Sequence, residues 1–280
     1  PTPPVTPSCA GSRARKAMPD TALAPAAHTG AMNEASAKTE DVLPAGEVGQ
    51  WDVVPWEIVE VVRPGLIAYE EAWNWQRTRA EAVRAGTAAE AVALLQHTPV
   101  YTLGMRGRTA SMPMTDEQAA ALGAEVVQSD RGGDVTFHGP GQLVAYGILD
   151  TRARNLRPAS VVNAYIQSTI ETVARFGIEA ECIEGRPGVW VRDATGYASK
   201  IAAVGVRIRN GITTHGVALN VTTDLSWFDH IVPCGIADAG VTSIQSTLGE
   251  APPLATVEAE LLSALSRMFH VKQFVEARYK

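Results

Sequence analysis

The residues with most chemistry to offer fall in one stretch, 199–236, where a lysine, a histidine and a cysteine punctuate runs of small and β-branched residues. Lys200 opens it. Residues 201–208 and 212–221 are two β-rich runs separated by Asn210-Gly211, a dipeptide suited to a two-residue hairpin because both central positions need positive φ. Counting outward from a tight turn, Ala203 faces Ala218 and Gly205 faces Gly216. These positions are nearly bare of side chain, as expected either for a floor under a ligand or for a strand packed beneath a helix. Cys234 follows, between Pro233 and Gly235. A cysteine is more often an inert buried hydrophobe than a nucleophile, but a nearby ammonium favours the thiolate, the species that attacks carbonyls. Lys200 can supply that cation. His215 is the other candidate, yet in this register it faces Val206, about 20 Å along the strand from Lys200 at ~3.3 Å per residue.

A second informative stretch is RGGDVTFHGPGQ, residues 131–142, with four glycines and a proline in twelve residues. Such a loop lets backbone approach a ligand, while Arg131, Asp134, Thr136 and His138 supply polar groups. It matches neither GxGxxG nor GxxxxGK[ST], which argues against a phosphate loop of either kind. A purely structural glycine turn is the alternative.

The elements that must position these residues are legible in outline. The chain has 280 residues, 46% hydrophobic and 19% charged, enough for one sizeable domain, and its net charge of −6 gives no electrostatic footprint for nucleic acid. No run of 18 apolar residues is present to span a bilayer. Three widely spaced cysteines, Cys9, Cys182 and Cys234, contain no CxxC pair, so neither a disulfide framework nor a zinc site is indicated, and a reducing, cytoplasmic setting is expected. Residues 1–48, rich in Pro, Ala, Thr and Ser, are expected to be a disordered leader ahead of a catalytic domain at 49–280. Alternation predicts strands at 56–62, closed by Arg63-Pro64-Gly65, and at 91–102, 125–128, 143–149 and 188–192. Apolar spacing predicts helices at 69–85, 116–122, 158–176 and 256–270. Helices interleaved with strands and one hairpin indicate an α/β (α+β) domain with a mixed sheet and flanking helices.

Taken together, RGGDVTFHGPGQ, KIAAVGV, THGVALN and IVPCGI, with YEEAWNWQ and PVYTLG upstream and VTSIQ downstream, resemble the lipoyl(octanoyl) transferases in order and spacing over residues 53–248. The resemblance implies a fold related to the biotin and lipoate protein ligases. It also implies transfer of octanoyl from octanoyl-acyl carrier protein to a lysine of lipoyl domains, those of 2-oxoacid dehydrogenase acyltransferase subunits and the glycine cleavage H protein. In that reading Cys234 is the acyl-accepting cysteine and Lys200 tunes it. Arg131, Gly132, Gly133, Asp134, Val135, Thr136, Phe137 and His138, with Ala203, Val204, Gly205, Gly216, Val217 and Ala218, bind substrate. No metal or cofactor is called for, because a thioester is already activated, and no nucleic acid or membrane partner is expected on the charge and hydropathy given above. Arg152, Arg154 and Arg157 are the densest basic cluster near the glycine loop and are expected to dock the acidic carrier. The chain departs from the family pattern at Tyr146-Gly147, where Tyr-Pro is common. Rival readings are an ATP-dependent lipoate or biotin protein ligase, a cysteine hydrolase and a non-catalytic lipoyl-binding module.

A chain lacking residues 1–48 is expected to retain octanoyl transfer by the purified protein. Loss of transfer without loss of solubility would place the leader inside the enzyme.

Overall fold

The computed structural model describes residues 57–107, 111–231 and 239–280. The leader and Cys234 lie outside them. In chain order the elements are β1 (Ile58–Ile67), α1 (Tyr69–Arg84), β2 (Ala91–His97), β3 (Val100–Leu103), α2 (Asp116–Ala121), β4 (Glu125–Gln128), β5 (Val135–His138), β6 (Gln142–Ile148), α3 (Pro158–Ala174), β7 (Glu181–Ile183), β8 (Arg186–Arg192), β9 (Ala198–Arg209), β10 (Ile212–Asn220), β11 (Gly240–Val241), α4 (Ile244–Leu248), α5 (Leu254–Met268) and β12 (Gln273–Glu276). A mixed sheet runs β12-β1-β2-β6-β10-β9-β8-β7, with β11 added beside β9, and a small second sheet runs β4-β3-β5.

The large sheet is covered on both faces. Val59 and Val61, Val92 and Leu94, Leu143 and Ala145, and Val217 and Leu219 point towards α3 and α5. The alternate residues Ala91, Ala93, Leu95, Val144, Tyr146, Ile148 and Ala218 point towards α1. Two-sided burial explains why AVALL and LVAY are continuous apolar runs without alternation. The second sheet has its own core of Tyr101, Met112, Ala119, Val135, Phe137 and Phe228.

Two predicted strands change. Residues 91–102 are not one strand but two in different sheets, because the chain turns at Thr98-Pro99, where a proline disfavours continuation of a ladder. β1 does not stop at Arg63-Pro64-Gly65. It shifts register there, with Gly65 at φ +79°, and continues to Ile67. Such a bulge absorbs the residues that read as a terminator. The expected hairpin forms as counted: Asn210 and Gly211 have φ of +52° and +87°, and Ala203 pairs with Ala218 and Gly205 with Gly216.

The arginine cluster expected to dock a carrier comes apart. Arg154 is buried, its side chain 2% exposed, in an ion pair with Glu90, and its Nη1 donates to the Phe269 carbonyl at 2.5 Å. Glu90 also accepts from the Asp150 backbone N–H at 2.5 Å. Arg154 therefore ties the β6 exit to the end of α5, while Arg152 and Arg157 remain exposed. Removing one partner of a buried pair leaves the other charge uncompensated, so Glu90→Ala is expected to cost about 3–5 kcal/mol of unfolding free energy. A urea titration checks this, and Arg157→Ala on the exposed surface should stay within ~0.5 kcal/mol.

Candidate active site

The β9–β10 hairpin and the glycine loop before β5 enclose a cavity of about 870 Å³. Lys200 lines it, as do Arg131, Gly132, Gly133, Asp134, Thr136, His138, Ala203, Val204, Gly205, Gly216, Val217 and Ala218. Of the expected binding residues only Val135 and Phe137 turn away, into the core of the second sheet, because alternation along β5 sends Thr136 and His138 to the cavity and their neighbours to the opposite face.

Backbone packing closes the cavity. A Cβ on Gly205 would lie 2.7 Å from the Gly132 carbonyl oxygen, and one on Gly132 would lie 2.9 Å from that of Val206. The glycine loop thus rests directly on β9, and Gly205 serves that contact more than a ligand floor. Ala203 and Ala218 form the floor. Arg131 is 7% exposed and bends back, its Nε donating to Thr102 Oγ1 at 2.9 Å and its Nη2 to the Thr102 carbonyl at 2.5 Å, which fastens the loop to β3. Asp134 accepts from the Val135 N–H and the Ser111 hydroxyl, each at 2.8 Å.

Lys200 is 6% exposed, and its Nζ stands 4.7 Å from the centre of the Trp190 ring, a cation–π distance. Its stem passes Gly188, where a Cβ would sit 3.2 Å from Lys200 Cε and 2.7 Å from the Ala202 carbonyl oxygen. Gly188 has φ +128°, so both space and backbone call for glycine there.

Along the cavity lies a cluster of neutral aromatic and imidazole groups that joins His138 and His215, both candidates in the sequence, to His97, Tyr69 and Tyr146, which sequence patterning did not single out for the site. His97 Nδ1 donates to the Ile67 carbonyl at 3.2 Å and Nε2 accepts from the Tyr146 hydroxyl at 2.8 Å. Tyr69 bonds Ser129 Oγ at 2.7 Å and stacks on His138, with ring centres 6.0 Å apart. His215 departs from strand alternation. Its φ of +60° turns the ring to the α1 side, where Nε2 donates to Asp130 Oδ1 at 2.8 Å and the backbone N–H donates to Gln76 Oε1 at 2.6 Å. Asp130 also accepts from Trp73 Nε1 at 3.1 Å and pairs with Arg207 at 3.3 Å. Those bonds hold the Asp130 carboxyl below its usual range. Burial lowers all three imidazoles, His97 to about 4 and His138 well below 6.5, and at His215 burial outweighs the pull of Asp130.

The departure at Gly147 has a local cause: a Cβ there would lie 2.2 Å from the Tyr165 hydroxyl, which occupies the vacated space. Among the described residues, no group of three or more His, Cys, Asp or Glu side chains is placed to hold a metal ion.

The model of the lipoyl protein ligase A/B catalytic domain matches residues 68–266, and the chain belongs to that family. An octanoyltransferase of Chloroflexus aggregans is 45% identical over 209 residues, covering 74% of this chain and 93% of its own. One of Rubrobacter xylanophilus is 46% identical over 206 residues, covering 71% and 88%. The chain is an acyltransferase. Among solved structures, a lipoate-protein ligase A bound with ATP superposes with a TM-score of 0.61 at 14% identity, covering 79% of this chain and 89% of that one. A bipartite lipoate protein ligase of Thermoplasma acidophilum, described with its E2 lipoyl domain, gives 0.61 at 13% identity over 79% and 87%. These likenesses establish the fold expected for a lipoate ligase relative.

The buried histidines make stability depend on pH. His97 takes up a proton at about 4 when folded against 6.5 when unfolded, so its contribution is fully present above 6.5 and is lost as pH falls towards 4. From pH 7 to 5 this single group is expected to cost about 2 kcal/mol. Urea midpoints across that range check it, and His97→Gln should flatten the slope.

Proposed function

We propose that this enzyme transfers an octanoyl group from octanoyl-acyl carrier protein to a lysine of a lipoyl domain through a thioester on Cys234. The observation that carries the reading is a buried lysine, Lys200, at one end of a cavity floored by Ala203 and Ala218, in a chain about 45% identical to octanoyltransferases. The small floor leaves room for an alkyl chain, and the ammonium provides the charge that a thiolate in the segment after β10 would need.

In the first half-reaction the Cys234 thiolate attacks the donor thioester. A new carbon–sulfur bond forms, the carrier's carbon–sulfur bond breaks, and the carrier leaves as a thiol after taking up a proton. In the second, the acceptor lysine amine attacks the acyl-enzyme, a carbon–nitrogen bond forms, and the bond to Cys234 breaks. The amine's surplus proton passes through Lys200 to the departing sulfur. Thioester exchange is nearly balanced and amide formation is downhill, so no nucleotide is required. The acceptors in this reading are the lipoyl domains of 2-oxoacid dehydrogenase acyltransferase subunits and the H protein. We place the reaction in the cytoplasm; among the described residues no helix is long and apolar enough to cross a membrane.

Incubation with octanoyl carrier protein and a lipoyl domain, without ATP, tests the reading. Octanoyl should appear on the domain and, in intact-mass spectra, as a transient adduct on the enzyme. Transfer that needs ATP and free acid would instead make this a ligase. Cys234→Ala should lose both adduct and transfer. Lys200→Arg keeps a cation but holds its proton, so it should form the adduct faster than Lys200→Ala and yet transfer to the lipoyl domain about 100-fold more slowly than the wild type. Normal transfer by Lys200→Arg would remove the base assignment.

A further inference from the structure

Two nitrogen lone pairs in the cavity wall are buried without a hydrogen-bond partner: His138 Nε2 and His215 Nδ1. The side chains are 4% and 1% exposed. Both are acceptors, because the opposite nitrogen of each ring is committed as a donor.

For His138 the assignment runs through a chain of amides. Asn220 Nδ2 donates to the Thr242 carbonyl at 3.0 Å, so Asn220 Oδ1 accepts from Gln142 Nε2 at 2.9 Å. Gln142 Nε2 also donates to the Phe137 carbonyl at 3.2 Å, leaving Gln142 Oε1 to accept from His138 Nδ1 at 2.7 Å. Nε2 of His138 therefore carries the lone pair. For His215, Asp130 takes the Nε2 proton and Nδ1 carries the lone pair. The rings are held in place, His138 by stacking on Tyr69 and His215 by a backbone at φ +60°. Gln76 Nε2 is also unpartnered but does not line the cavity. A slot meant only for a saturated chain gains nothing from such acceptors, since burying methylene against an unpaired lone pair is unfavourable.

We infer that the slot also takes medium- and long-chain acyl groups carrying a hydroxyl on their distal half, with His138 Nε2 and His215 Nδ1 as the acceptors that recognise it. This rests on the proposed acyl transfer, and the hydroxyl is a spectator in it. The two acceptors lie at different depths. His215 is opposite Val206, six residues along β9 from Lys200 or about 20 Å, whereas an extended octanoyl chain of ~1.5 Å bonds reaches only about 9 Å. His138 is thus the acceptor for a hydroxyl near the eighth carbon, and His215 serves a longer chain.

The experiment compares kcat/KM for octanoyl and 8-hydroxyoctanoyl pantetheine thioesters, and for hexadecanoyl and 16-hydroxyhexadecanoyl thioesters, whose fifteen carbon–carbon bonds reach about 19 Å. In the wild type each hydroxylated substrate is expected to match or exceed its parent. An apolar slot would disfavour the hydroxyl by about tenfold or more, and that result overturns the inference whatever the variants do. His138→Phe, which keeps a ring against Tyr69, should lower the 8-hydroxyoctanoyl to octanoyl ratio about tenfold. His215→Gly, which tolerates the positive φ, should lower the sixteen-carbon ratio instead. A ratio unmoved by either change also overturns it. Calorimetric binding of free 8-hydroxyoctanoate against octanoate reads the same preference without transfer, so a failure of the acyl-transfer reading is distinguishable from a failure of this one.

Discussion

The cavity depends on one contact: backbone lying directly on backbone where Gly132 meets Gly205 and Val206. A side chain at either glycine would push the loop off β9 by more than dispersion and hydrogen bonding could restore. Gly104 continues the same seam, since a Cβ there would stand 2.5 Å from the Gly133 carbonyl oxygen. The second sheet is thereby clamped onto the hairpin of the first, and Arg131 holds the loop in place for that contact by donating to Thr102 on β3. With the sheets so joined, Lys200, Thr136, His138 and the alanine pair face a common space although they come from separate parts of the chain. The chemistry proposed for Lys200 needs no mobile assembly of its surroundings.

Beside the charged Arg131, Asp134 and Lys200, that space has a wall of neutral, oriented polar groups. Burial keeps His97, His138 and His215 uncharged, and each has one nitrogen assigned by a fixed partner. Tyr146 bonds His97 and packs edge-on to His215, with ring centres 5.8 Å apart. Such a wall is stiff, because rotating any member strands a buried donor. It gives direction to hydrogen bonds without the desolvation cost of a buried charge.

How much of this was legible in the sequence varied with the range of the interaction. Asn210-Gly211 specifies a local turn, and the pairing of Ala203 with Ala218 follows by counting from it, so the hairpin was readable to the residue. The glycine loop was recognisable as a close-approach segment, but the partner of that approach, Val206, lies over seventy residues away and leaves no trace in local pattern. Residues 91–102 misled because a strand buried on both faces followed by one in another sheet looks like a single apolar run. Arg152, Arg154 and Arg157 look equivalent in sequence, and only the fold shows that Arg154 meets Glu90 in the interior. His215 stands opposite Val206 as counted, but the direction of its ring was not legible, since its backbone is left-handed and strand alternation does not apply there.

β12 runs parallel to β1 and pairs with it from Ile58 to Val61. Lys272, just before it, binds Glu57, and Tyr279, just after it, stacks on Trp75 at 5.6 Å. Four residues long, mostly exposed and with a charged last residue, it leaves little ladder for another chain to extend. Without it, residues 58–61 of β1 would present unpaired N–H and C=O groups beside the buried Val59 and Val61, the kind of edge through which sheets of separate molecules join. The last strand therefore acts less as a support for the active site than as a guard against self-association, and chains cut short before Gln273 would fail first by clumping, with their acyl-transfer machinery still built.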